Sequence, residues 1–185
     1  MRNSPFGFVM IFGLTAWMLP GCQEQEEIRR HQVPKTKQPK IRLLAAIYPK
    51  SENTWFFKLL GPENAVAENE DAFHGFIKSV RFPGNGKEEI QWTAPNGWRE
   101  EKPIPPRYAS YRIGEGLQEL DFSITKLPGK AGTVLLNVNR WRGQIGLGPV
   151  TQMELGKITR ELKQDEVEIT VVDIVGPGGI TVPMR

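Results

Sequence analysis

The stretch LLNVNRWRGQIGLGP, residues 135–149, sets two arginines either side of a tryptophan, with asparagines before them and a Gly-Pro loop after. A guanidinium is a planar, permanently charged fork that suits carboxylates and phosphates. On a helix, Asn137, Arg140 and Gln144 share one polar ridge, because residues three and four apart are neighbours. Such a ridge can meet a small anion or a partner, and Arg and Trp are the residue types that dominate contacts of that kind. Trp141 falls on a different stripe, with Val134, Val138 and Ile145, which is a core-facing pattern. Arg142 aligns with Asn139. A plainer account competes: arginines along a sheet's rim pair with strand carboxylates or loop carbonyls and use their stems as packing surface. The candidate contact set is therefore Asn137, Arg140, Trp141, Arg142 and Gln144. Trp55 and Trp98 join it if the fold brings them to the surface nearby.

Nothing else in the chain assembles a reaction. A nucleophile, a base and an orienting group cannot be picked out, and Glu100, Glu101 and Asp121 are scattered carboxylates. The chain has two histidines, His31 and His74, and one cysteine. One cysteine allows no internal disulfide and no cysteine-based zinc site, and two histidines argue against a His-rich metal centre. No catalytic residue, cofactor or metal is expected.

That cysteine, Cys22, has a place of its own. MRNSPFGFVMIFGLTAWMLPGCQ starts with a short segment bearing Arg2 and continues with an apolar run from Phe6 to Leu19. The run is too short for a comfortable membrane span and ends in a cleavage-like position. It resembles a bacterial lipoprotein signal, with Leu19 and Gly21 before the lipid-bearing Cys22 and Pro20 departing from the usual small residue. Residues 1–21 are then a signal peptide. Acyl chains on Cys22 would hold the protein to a membrane at about 0.8 kcal/mol per buried methylene. Residues 23–40, QEQEEIRRHQVPKTKQPK, are polar and hold two prolines. They suit a disordered tether reaching on the order of 25 Å.

Charge separates the same regions. Of the formal +3, Arg2 carries one and residues 23–40 carry two, leaving 41–185 neutral. Phosphate neutralisation supplies most nucleic-acid affinity, so a neutral domain argues against that class of partner.

The elements that must position the arginines begin at Ile41. IRLLAAIYP suits a strand buried on both faces, KSEN a turn, and TWFFKLLGP a second strand, which together make a hairpin. From Glu63 to Arg81, Val66, Phe73, Phe76, Ile77 and Val80 recur at helical spacing, with Glu70, His74 and Lys78 on the opposite stripe, which makes His74 a solvent-facing helical residue. PGNGKEE is a loop and IQWTAPNGWREE a short strand with a turn. RYASYRIG and LQELDFSITKL alternate as half-buried strands, the second with Leu120, Phe122 and Ile124 on one face and Asp121, Ser123 and Thr125 on the other. Helices are expected over about 132–145 and 151–164, the second opened by a Thr151–Glu154 capping box. VEITVVDIVGP is a further strand and GGITVPMR a last extended piece. Strand–helix–strand repetition and a glycine-rich phosphate loop are both missing. The fold class is thus α+β: one domain over 41–185, a mainly antiparallel sheet covered by helices.

With WFFKLLGP, FHGFIKSVRF, WTAPNGW, NVNRWRGQIGL and VVDIVGP in view, the chain resembles uncharacterised bacterial secreted proteins and lipoproteins that carry these motifs over nearly all of 41–176. The resemblance brings no activity, substrate or functional residue. It implies a PsbP/Mog1-like sheet between helices. In such sequences the module that here comes first can also come last, which makes a circular permutation of the sheet an expectation. It requires the strand near 42–48 to pair with the strand near 167–175. The function expected is a lipid-anchored envelope protein, held to the membrane through Cys22, that binds a protein or another envelope component. The alternative is a small-ligand carrier or enzyme with a cleft between sheet and helices. That alternative requires an acid within hydrogen-bond reach of Arg140 or Arg142 in a cavity.

Overall fold

The structure, a computed structural model, describes residues 39–50, 52–83 and 89–178. The expected signal peptide, Cys22, nearly all of the tether, most of the PGNGKEE loop and most of the final GGITVPMR piece lie outside the described residues.

Strand β1 (Ile41–Lys50) and strand β2 (Asn53–Pro62) form the expected hairpin, in register from Ile41 opposite Pro62 to Lys50 opposite Asn53. Helices α1 (Glu63–Glu68) and α2 (Glu70–Ser79) follow, then β3 (Trp98–Glu101), β4 (Arg107–Ile113) and β5 (Leu120–Pro128). Helix α3 (Val134–Gln144), the single turn α4 (Gln152–Leu155), β6 (Thr159–Gln164) and β7 (Val167–Gly176) complete the order. All pairings are antiparallel, in one seven-stranded sheet ordered β3-β4-β5-β2-β1-β7-β6. The fold is α+β. Strand β1 lies beside β7, with Ile41 opposite Gly176 and Ile47 opposite Thr170. This is the pairing that the sequence required of a joined first and last module.

Side chains alternate between the two faces of a strand, so the sheet has two cores. On the first face Trp55, Phe57 and Leu59 of β2 meet Phe73, Phe76 and Ile77 of α2 and Phe122 of β5. Phe76 stacks on Trp98 at 5.5 Å, and Trp98 lies 4.6 Å from Phe122. On the second face Leu43, Ala45, Ile47, Phe56 and Leu60 receive Val138 and Trp141 of α3, Ile145 just past its end, and Leu155 of α4.

Two expectations are corrected. The second helix, expected over 151–164, is one turn long, and Thr159–Gln164 is an edge strand. Met153, within that turn, is exposed. TRELKQDEVEIT folds as a hairpin through Asp165 and Glu166, both at positive φ (48° and 64°), so tertiary pairing with β7 overrides the helical spacing. The Glu70–His74–Lys78 stripe also faces solvent only in part. The Arg42 guanidinium donates to both oxygens of Asp173 and to Glu70, and His74 Nε2 lies 3.9 Å from Glu70.

Candidate functional site

Helix α3 begins where Thr133 caps it, its hydroxyl accepting the Leu136 N–H at 3.2 Å. Its inward stripe seats Val138, Trp141 and Ile145 over the β2–β1–β7 part of the second face. Trp141 is 3% exposed and meets Phe56 edge-on at 6.0 Å. It holds the helix to the sheet and is withdrawn from any partner. Trp55 and Trp98 are likewise in the first core, at 1% and 9% exposure, and leave the candidate contact set.

The two flanking arginines part company. Arg142 donates through Nε to the Gly148 carbonyl at 2.7 Å, while Asn139 donates to and accepts from the backbone of Val150. Together they fasten the loop after α3, which is the plainer role foreseen for such arginines. Arg140 is exposed and takes a neutral partner, the Asn137 side-chain oxygen at 2.8 Å. Asn137 is itself buried, its amide donating to the carbonyls of Ala131 and Thr133. Asn137 thus orients Arg140 without neutralising it. One turn on from Arg140, Gln144 does the same for a residue the sequence did not flag: its Oε1 accepts from Lys58 Nζ at 3.2 Å.

Lys58 lies on β2, the fourth strand of seven, between Phe56 and Leu60 on the second face. The helical layer covers the β2–β1–β7 side of this face, and toward β4 the face turns polar. Lys58 is opposite Ser123 of β5, and Ser123 is opposite Ser110 of β4. One row along, Leu60 is opposite Asp121 and Asp121 is opposite Arg112. A bulge between Arg107 and Ala109 turns Arg107 onto this face, where it grips both oxygens of Asp121 at 2.8 and 2.7 Å. Arg112 bonds Glu101 at 3.0 Å, and its buried Nη1 stands 3.7 Å from both Asp121 and Glu119, without a hydrogen bond.

The electrostatics divide this shelf in two. Toward the β3 edge, Arg99, Arg107 and Arg112 each have a carboxylate. Beside α3, neither Lys58 nor Arg140 has one within 4 Å among the described residues. Burial pushes the Lys58 ammonium below the ordinary lysine value; Asp121 pulls it back up, and Arg107 and Arg140 push it further down. Holding a charge out of water without a hydrogen-bonded counter-ion is costly, which makes this lysine a candidate functional position. The arrangement of two oriented, un-neutralised cations can attract and hold an anion.

The acid that a catalytic or carrier cleft required is not found: among the described residues no carboxylate lies within hydrogen-bond reach of Arg140 or Arg142. A depression of about 820 Å³ opens elsewhere, on Ser79, Arg81, Trp92, Thr93 and Tyr108. No family model matches the chain, and neither a curated protein nor a solved structure shows significant similarity to it.

Sequence reasoning singled out Asn137, Arg140 and Gln144 and did not single out Lys58 beside them. The signal was present: Lys58 is the one charged residue in the otherwise apolar run TWFFKLLGP.

Proposed function

We propose that the chain is an exported protein, tethered to a bacterial membrane by lipid on Cys22, whose domain binds an envelope protein through the shelf beside α3. The leader sequence and its lone cysteine support the anchor. The observation that carries the docking surface is the contrast on one sheet face: Arg107 and Arg112 have carboxylates, whereas Lys58 and Arg140 are oriented by amides alone. A partner-facing cation is worth most when it is already ordered and not yet neutralised, because complementary charge then steers and fixes the encounter. Arg140 and Gln144 are the residues that reach the partner; Asn137 holds Arg140 in place, and Trp141 and Arg142 hold the helix and its loop.

The test is crosslinking of the anchored protein in cells through a photoreactive residue at Leu136, an exposed position on α3. A discrete adduct should form with the wild type and disappear with Arg140→Ala, while Arg142→Ala lowers stability but keeps the adduct. An adduct that survives Arg140→Ala would dismiss this surface.

A further inference from the structure

We infer that the Lys58–Arg140 site takes a carboxylate, presented by an aspartate or glutamate side chain of the docking partner; the inference rests on the docking surface proposed above. The shelf itself shows the pattern. Arg107 closes on Asp121 through two parallel hydrogen bonds, and Arg112 on Glu101 through one. Next along the same face come Lys58 and, on the helix beside it, Arg140, with no carboxylate within 4 Å of either among the described residues. An incoming carboxylate continues the alternation of cation and anion that the face already has.

The amides support this assignment. Gln144 spends its oxygen on Lys58, which leaves its own N–H groups free to donate. Asn137 spends both its amide donors on backbone carbonyls and its oxygen on Arg140. The ligand therefore meets donors only: the remaining ammonium protons, the open edge of the guanidinium, and the Gln144 amide. An acceptor-only group with two oxygens matches that set. Opposite Lys58 stands the Ser123 hydroxyl, a further small donor. The Asp121 carboxylate, one row away, disfavours a second negative charge, which favours a carboxylate over a phosphate dianion. The cost of leaving Lys58 without a counter-ion is recovered when the partner's carboxylate arrives, so the strain is released on binding.

The test uses the full lipidated chain in detergent and follows the Lys58 and Gln144 side-chain NMR resonances. The probes are a blocked Ala-Glu-Ala peptide and its Ala-Gln-Ala counterpart. The glutamate peptide should bind about tenfold or more tightly than the glutamine peptide, and Lys58→Met and Arg140→Gln should each erase the difference. Equal binding of the two peptides, or a preference that survives both substitutions, would overturn the inference. Two further arms decide the source and the chemistry. Free acetate that matches the glutamate peptide would point to a small metabolite rather than a polypeptide, and inorganic phosphate that outcompetes it would remove the carboxylate; either result refutes the assignment. Loss of the cellular adduct with Arg140→Ala, together with no carboxylate preference, would leave the docking surface standing and this ligand wrong. The reverse pair of results would sink the docking surface, and with it the partner as the source of the carboxylate, leaving only the site's preference for that group.

Discussion

Lys58 is the residue on which the proposed site turns, and its energetics give it a signature opposite to that of a structural residue. A side chain that holds a fold together destabilises it when truncated. Lys58 is a partly buried cation faced by Asp121 of β5, Arg107 of β4, and Arg140 and Gln144 of α3, with only the amide in hydrogen-bond contact. Replacing it by apolar methionine of similar length should raise stability by on the order of 1 kcal/mol, since the charge no longer has to be desolvated. The pH dependence follows. Its folded pKa lies below its unfolded one, so between the two the unfolded chain holds more protons, and stability rises with pH across that window. Thermal melts of the wild type should therefore show an upward slope on the alkaline side, toward the ordinary lysine value, that Lys58→Met lacks. Of this site the sequence showed the helix ridge but not its counterpart, because a single lysine in an apolar strand gains meaning only when the neighbouring strand and helix are placed beside it.

Elements were legible in proportion to how locally they are determined. The β1–β2 hairpin, α3 with its stripe and the alternating β5 can be derived from spacing alone, because burial there follows the period of the element itself. The stretch after Thr151 could not. Its Leu155, Ile158 and Leu162 satisfy a helical period, yet a strand partner in β7 and a two-residue turn at Asp165–Glu166 outweigh that preference. Glu166→Gly should stabilise the β6–β7 hairpin by about 0.5–1 kcal/mol, measured by denaturant unfolding, because glycine adopts positive φ without penalty. A loss of stability would mean that the turn is not the left-handed one described. The seat of α3 can be probed from the sheet. A Cβ on Gly176 of β7 would come to 2.3 Å from the Ile145 carbonyl oxygen, which is backbone and cannot move aside cheaply. Gly176→Ala should cost about 2–3 kcal/mol in the same measurement and loosen the Phe56–Trp141 contact, visible as a change in tryptophan fluorescence. A neutral outcome would show that the helix can slide on the sheet.

At the scale of the whole molecule, the sheet has one face packed dry under α2, with the Arg42–Asp173–Glu70 cluster at its side, and another that is dry beneath α3 and polar beside it. The dry regions keep the domain folded without disulfides. In the proposed function the polar region is what the domain presents, and the proposed membrane tether limits what it can meet. If the anchor is as proposed, the mature protein carries acyl chains on Cys22, and Cys22→Ser moves it from the membrane to the soluble fraction on cell fractionation. A membrane-bound Cys22→Ser protein would refute the anchor while leaving the shelf untouched. Fold class and the meeting of first and last strands were accessible from the sequence. The partition of one face into paired and unpaired cations was not, since it depends on the register that sets Lys58 beside Ser123 and Arg107 over Asp121.

The most direct measurement is the thermal midpoint of the full chain and of its Lys58→Met form, each with and without saturating glutamate peptide. A ligand that binds only the folded state raises the midpoint in step with its occupancy. The wild type should begin lower and rise with peptide, whereas Lys58→Met should begin higher and stay unmoved. A Lys58→Met protein that melts lower than the wild type, or that responds to the peptide equally, would contradict the account.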